Sequence, residues 1–139
     1  MTDWLTPEQR SRNMSSIRST DNATTERAFL TLLRESRIIG WRRHLDLPGR
    51  PDFTFRSKHV TVFIDGCFWH GCPRCGHIPK TNARYWRNKI LRNKKRDAFV
   101  RRRLRSMGFS VLRVWECELK RSPRACLARI VRAISARQR

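Results

Sequence analysis

Asp52, Asp65, Cys67, His70, Cys72 and Cys75 crowd into one stretch, LPGRPDFTFRSKHVTVFIDGCFWHGCPRC, which runs from Leu47 to Cys75. The chain holds only 11 acidic residues, yet Asp52 and Asp65 stand at the start and the end of two neighbouring apolar runs. A carboxylate buried there without a cation is costly. Pairing of Asp52 with the adjacent Arg50, or a simple Pro-Asp turn, is one way to meet that cost. The other is a divalent ion. Glu26 on a preceding helix, with Asp52 and Asp65 on adjacent strands, offers one Mg²⁺ the mix of carboxylate, backbone and water oxygens it prefers. Such an ion polarises a phosphodiester and activates water. His70, five residues past Asp65, is then placed to act as general base.

The cysteines call for a second ion. Cys67, Cys72 and Cys75 supply three thiolates, and Pro73 and Gly76 permit the reversals that wrapping a metal requires. Cys117, just past a later apolar strand, is the best fourth donor for tetrahedral zinc, because it pins the end of that strand to the loop. His70 and His77 compete for that position. Full coordination leaves no open site, so this zinc is expected to staple the loop and do no chemistry. Cys126, beside an apolar helical stripe, reads as a small core filler.

The elements that must position these groups follow from the pattern. Thr6-Pro7-Glu8-Gln9 reads as a helix start and predicts a helix to about Arg18. Its thin apolar face of Met14 and Ile17 suits a surface arm (residues 1–20), or one that orders on DNA. A second helix is predicted over Thr24–Ser36, with Phe29, Leu32 and Leu33 inward. Glu26 lies in its first turn, where the macrodipole favours an anion, and that alone accounts for it on local grounds. Strands are predicted at Ile38–Arg43, Asp52–Phe55 and Val60–Ile64. A long helix spans Asn82 to Met107 and is closed by Gly108, with Trp86, Ile90, Phe99, Leu104 and Met107 as its apolar positions. Phe109–Trp115 reads as a strand too apolar for a sheet edge. A last helix starts at Ser122-Pro123, with Leu127, Ile130, Val131 and Ile134 as its stripe. One α/β domain over residues 1–139 results, a mixed sheet of about four strands flanked by helices.

Charge names the partner. Lys and Arg number 32 against 11 acids, for a net charge of +21, and between Arg84 and Arg105 the long helix carries eleven Lys or Arg against the single acid Asp97. Self-repulsion on this scale is relieved by a polyanion, and nucleic acid is the first choice over an anionic membrane. No apolar run approaches the ~20 residues of a spanning helix, and MTDWLTPEQR lacks the pattern of a secretory signal, so a soluble cytoplasmic protein is expected. Reduced thiols, available for metal, fit that compartment. Phe68-Trp69 on the cysteine loop and Trp86 beside Tyr85 are either core rings or wedges that unstack bases. Lys89 and Asn93 share a face with Trp86 and can donate to base edges, whereas the remaining arginines of that helix suit phosphates.

Taken in order, RSRNM, LPGRPDF, IDGCFWHGCP, the YWRNKI-x2-N-x2-RD segment and VWECEL resemble the very-short-patch repair (Vsr) family of DNA mismatch endonucleases, over roughly Arg10 to Leu119. The resemblance implies a restriction-endonuclease-like (PD-(D/E)XK-type) sheet with a structural zinc site. It also implies Mg²⁺-dependent nicking of double-stranded DNA beside the thymine of a T·G mismatch left by 5-methylcytosine deamination, yielding a 5′-phosphate. By position, Asp52 is the principal Mg²⁺ ligand, assisted by the Ile64 carbonyl. His70 assists water activation, and Glu26 supports the site through water or His70. Cys67, Cys72, Cys75 and Cys117 form the zinc site. Phe68, Trp69 and Trp86 enter the base stack from the major groove, Met14 and Ile17 from the minor groove, and Lys89 and Asn93 read the wobble pair. Mismatch-repair proteins are candidate helpers, a monomer is the default state, and the bacterial nucleoid is the expected place of action. Two departures stand out. The restriction-type acid-x-Lys is here Asp65-Gly66-Cys67, with no lysine, and some relatives carry His where Asp65 stands. Asp65 is thus left open between binding the metal and bonding to a group that does.

Two other functions compete. A zinc-stapled nucleic-acid-binding protein of ribosomal or chromatin type shares the charge and the cysteines and is opposed only by Asp52, Asp65 and His70. A related nuclease with a different trigger keeps those residues but answers to modified bases or an ordinary restriction sequence.

Overall fold

A computed structural model describes residues 25–136; the predicted N-terminal helix, with Met14 and Ile17, lies outside the described residues. Helix α1 spans Glu26–Glu35, then β1 Trp41–Arg43, β2 Phe53–Phe55 and, after a short 3-10 turn, β3 Val60–Asp65. A one-turn helix α2, Cys67–His70, leads through the cysteine loop to the long α3, Ala83–Ser106, then β4 Ser110–Trp115, α4 Glu116–Arg121 and α5 Pro123–Ala136. The strands lie in the order β1-β2-β3-β4. The first two pairings are antiparallel, and β3 with β4 is parallel, as a connection through a crossover helix requires.

The period of two along β3 explains the layers. Val60, Val62 and Ile64 face one side, where Phe29 and Leu33 of α1 and Cys126 and Ile130 of α5 complete the main core. Phe63 faces the other and meets Val100 and Leu104 of α3. Asp65 continues the Phe63 side, so the last residue of the strand points toward α3. Asp52 precedes β2 by one residue and sits level with the end of β3.

Four predicted features are corrected. The apolar Phe109–Trp115 strand is the outermost of the sheet among the described residues, not an inner one. Its apolarity comes from helices packed on both of its faces rather than from two strand neighbours, and only Val114 on it is buried. In α3, Phe99 and Met107 are exposed and Val100 takes the inward place. Phe99 is thirteen residues past Trp86, about 140° around the helix from it, whereas Val100 returns to within about 40°. In α5, Val131 is exposed for the same reason, and the inward stripe runs through Cys126 and Ile130. Strand β1 is shorter than predicted. It begins only after Gly40, whose φ of 91° breaks the extended run, and the preceding Ile39 is exposed.

Candidate active site and metal centre

Two polar clusters flank the C-terminal end of β3. On the α1 side, Asp52 accepts the backbone N–H of Ile64 at 2.6 Å and shares a hydrogen bond with Glu26. Glu26 is the first residue of α1 and only 1% exposed; Asp52 is 8% exposed. Arg43 and His44, at the end of β1, reach the same Glu26 oxygen, Oε2, at 2.9 and 3.1 Å. Burial, followed by the hydrogen bond and charge of Glu26, pushes the Asp52 carboxyl up to about 8, against the opposing pull of the Ile64 N–H. Two buried carboxyl groups this close share a proton or hold a cation. The donor set fits a divalent ion: one donor atom each from Glu26, His44 and Asp52 lies within 4.8 Å of the others.

On the α3 side, Asp65 is gripped by Arg113 of β4, whose Nη1 lies 2.9 and 2.8 Å from the two carboxylate oxygens. The same guanidinium stacks 4.4 Å above the Phe63 ring and reaches Asp97 at 3.6 Å. His70 stands between the two acids, its Nδ1 2.6 Å from Asp97 and its Nε2 3.8 Å from Asp65. Burial acts to lower the His70 imidazole, but the Asp97 hydrogen bond and the charges of Asp65 and Asp97 outweigh it and carry the imidazole above its ordinary value. Asp65, His70 and Asp97 also bring donor atoms within 4.8 Å of one another. Arg113 already bridges both carboxylates of that trio, so it behaves as an ion-pair network.

The thiols of Cys67, Cys72, Cys75 and Cys117 lie within 4.8 Å of one another, with the sulfurs of Cys72 and Cys117 3.7 Å apart. Tetrahedral zinc with bonds of about 2.3 Å sets neighbouring sulfurs about 3.8 Å apart, so the quartet fits that ion. Cys67 opens α2 and Cys117 lies in the first turn of α4, so the cluster joins the ends of the parallel strands β3 and β4. Neither His70 nor His77 belongs to it. The backbone is cut to match. At Gly76 a Cβ meets the Cys72 carbonyl oxygen at 2.7 Å. Gly71, with φ 66°, ends α2 against the Lys94 and Ile90 side chains, where a Cβ would collide with Lys94 Cε. Burial pushes the Cys72 thiol up, but the N–H groups of Cys75 and Arg74 outweigh it and bring it down to about 7. That is the direction a thiolate ligand needs, whereas burial pushes the Cys67 thiol up, so the fit to zinc rests on the sulfur positions.

Phe68, Trp69 and Trp86 form one edge-to-face cluster, with ring centroids 5.2, 5.5 and 6.1 Å apart. Phe68 and Trp69 are half-buried. Trp86 is the inner ring, 3% exposed, and its Nε1 has no partner among the described residues. Asn93 donates to the Trp69 carbonyl at 2.9 Å, and the Lys89 ammonium lies 5.8 Å from the centre of the Trp69 ring. Both side chains therefore converge on Trp69.

The structure thus brings Glu26 to Asp52 and His70 to Asp65, and gathers the four cysteines. Sequence reading missed Asp97, Arg113 and His44. Asp97 carried a signal as the lone acid of a basic helix, and Arg113 carried one as the lone charge inside an apolar strand. His44, in a polar turn, carried none.

A sheet with buried acids at the ends of β2 and β3, beside a cationic helix and a four-thiol loop, is compatible with a phosphodiester-cleaving protein, and the relatives agree. A profile of the family described as DNA mismatch endonuclease Vsr matches residues 2–75. The chain is 44% identical over 124 residues to "Type II nicking enzyme V.XorIIP" of Xanthomonas oryzae pv. oryzae, covering 86% of this chain and 88% of that one. It is 39% identical over 140 residues to "Type II nicking enzyme V.NmeAIP" of Neisseria meningitidis serogroup A, covering 96% and 97%. To "DNA mismatch endonuclease Vsr" of Escherichia coli K12 it is 36% identical over 122 residues, covering 86% and 77%. The chain is of the DNA endonuclease class. It belongs to the Vsr family of DNA mismatch endonucleases. Among the described residues, no helix is long and apolar enough to cross a membrane.

Proposed function

We propose that this protein nicks double-stranded DNA beside the thymine of a T·G mismatch by Mg²⁺-dependent hydrolysis, opening the strand for very short patch repair. The observation that carries the reading is the buried Asp52–Glu26 carboxyl pair held against Ile64, four residues before the first ring of the aromatic cluster, Phe68 on α2. Asp52, with the Ile64 carbonyl, would hold the ion, and Glu26 supports Asp52 directly. When bound, Mg²⁺ polarises the phosphodiester and offsets charge developing on its oxygens. His70, oriented by Asp97, takes a proton from the attacking water. Oxygen adds to phosphorus, the P–O3′ bond breaks, and the 3′ oxygen takes a proton from solvent water as it leaves, so the product carries a 5′-phosphate. Asp65, occupied by Arg113, fixes the polar network around His70 rather than meeting the metal.

Phe68 and Trp69, backed by Trp86, form the wedge that opens the stack from the major groove. Lys89 and Asn93 hold the wedge and face the wobble pair, and Met14 and Ile17 serve the minor groove. The four-cysteine zinc holds the wedge loop to the end of β4 and takes no part in chemistry. The reading extends to one restriction-type domain over 1–139, acting as a monomer on nucleoid DNA in the bacterial cytoplasm, with mismatch-repair proteins as candidate helpers.

The test is a denaturing gel of T·G, methylated and plain matched duplexes incubated with Mg²⁺ and the wild-type protein or Asp52→Ala. Nicking is expected only on the T·G strand and only with wild type, while the variant still binds the mismatch. Cleavage by Asp52→Ala removes the proposed catalytic centre, and equal cleavage of matched DNA removes the proposed trigger.

A further inference from the structure

The Asp52–Glu26 pair has a third member that neither the charge pattern nor the motifs point to. His44 follows β1 directly and holds a left-handed backbone, φ 51°. For a residue with a side chain that conformation is uncommon, and it persists only where the surroundings hold it. Here it turns the imidazole back onto Glu26, with Nε2 3.1 Å from Oε2. The other ring nitrogen, Nδ1, is buried and has no hydrogen-bond partner among the described residues. The Nε2 contact is therefore the hydrogen bond that positions the ring, and a cation bound by Nε2 would take the place of its hydrogen.

We propose that His44 ligates the catalytic cation together with Glu26 and Asp52, and that its nitrogen makes the site favour Mn²⁺ and similar transition ions over Mg²⁺. This inference rests on the reading of Asp52 as a metal ligand; it turns Glu26 from a support of Asp52 into a ligand, and adds His44 and an ion preference. Three observations support it. All three donor atoms lie within 4.8 Å of one another, a span that one ion bridges. The 3.1 Å between His44 Nε2 and Glu26 Oε2 matches the edge of an octahedron, about 3.0 Å for metal–ligand bonds of about 2.1 Å. The donor set also mixes imidazole with carboxylate, which suits Mn²⁺ and its neighbours better than Mg²⁺, an ion of oxygen ligands. Arg43 on the same Glu26 oxygen, at 2.9 Å, opposes a cation and holds the affinity down. The contrast between ions is therefore the readout.

The experiment uses the full zinc-loaded chain. Mn²⁺ binding is followed by electron paramagnetic resonance, with Mg²⁺ as competitor, and electron spin-echo modulation reports nitrogen bound to Mn²⁺. Wild type is expected to bind Mn²⁺ about tenfold or more tightly than Mg²⁺ and to show imidazole nitrogen coupling. His44→Gln should lose that coupling and most of the preference while keeping its Mg²⁺ affinity, with an unchanged thermal melt confirming its fold. Absence of nitrogen coupling in wild type, a reading that depends on no variant, overturns the inference, as does coupling that survives in His44→Gln. Asp52→Ala separates the two claims. If it still binds Mn²⁺ like wild type, the assignment of Asp52 itself fails. If it loses the ion while His44→Gln behaves as wild type, only the role of His44 falls.

Discussion

Arg113 holds Asp65 across the parallel β3–β4 pair. Opposite Phe63 in the register, it reaches along the strand to place Nη1 2.9 and 2.8 Å from the two carboxylate oxygens. The Asp65 side chain is 3% exposed, so its charge depends on this partner. Removing one member of a buried pair costs about 3–5 kcal/mol, because the other is left uncompensated. Arg113→Met is thus expected to lose a stability of that order in urea unfolding. The double variant Asp65→Asn, Arg113→Met should recover most of it. A single variant within about 1 kcal/mol of wild type shows that Asp65 is solvated and the pair dispensable.

In the proposed mechanism Asp97 acts only through His70, to which it is bonded at 2.6 Å. Asp97→Asn preserves the shape but removes the charge that orients the imidazole and favours its taking a proton. Nicking kcat is expected to fall about 100-fold, with KM for the heteroduplex nearly unchanged, and Asp97→Glu should restore part of the rate. A rise in KM with kcat intact would instead make Asp97 a DNA-binding or folding residue.

These two pairs show what one dimension of information can hold. Helices α1, α3 and α5, the four strands and the cysteine set were legible because periodicity, turn residues and close spacing are local signals. His70 and Asp97 are 27 residues apart, and Asp65 and Arg113 are 48 apart. Which charges meet was decided by the β3–β4 register and by the face of α3 that packs on the sheet, neither of which a charge pattern encodes. Helix α4 escaped for another reason. It follows β4 with no Gly or Pro between them, and its start is marked only by Glu118, whose carboxylate accepts the Trp115 N–H at 3.3 Å. Glu26 was legible as a first-turn acid, but its burial against Asp52 was not.

The four-thiol cluster joins α2 to α4, so its metal content should govern the stability of the wedge loop and the end of β4 together. One zinc per chain is expected by elemental analysis. Stripping it with a strong chelator should lower Tm by about 10 °C or more. Cys117→Ser should lose the metal, whereas Cys126→Ser, altered in the core stripe away from the cluster, should keep it. Full zinc content in Cys117→Ser moves the fourth ligand elsewhere.

Affinity and discrimination should separate along α3. Asn93 donates to the Trp69 carbonyl and so holds the residue that carries a ring of the proposed wedge, whereas Arg92 beside it is exposed and suits a phosphate. If the wedge senses the mismatch, Asn93→Ala should narrow the preference for T·G over matched duplex by about 1–3 kcal/mol, leaving the salt dependence of matched-duplex binding unchanged. Arg92→Ala should do the reverse: binding weakens on both duplexes alike, and the log–log salt slope becomes shallower by about 0.9, one phosphate's worth of released counterion. Binding titrations on both duplexes across a salt series measure the two effects in one experiment. Equal loss of discrimination in both variants would mean that the basic face and the wedge act as one surface, and that Asn93 does no more than Arg92 to tell a mismatch from a matched pair.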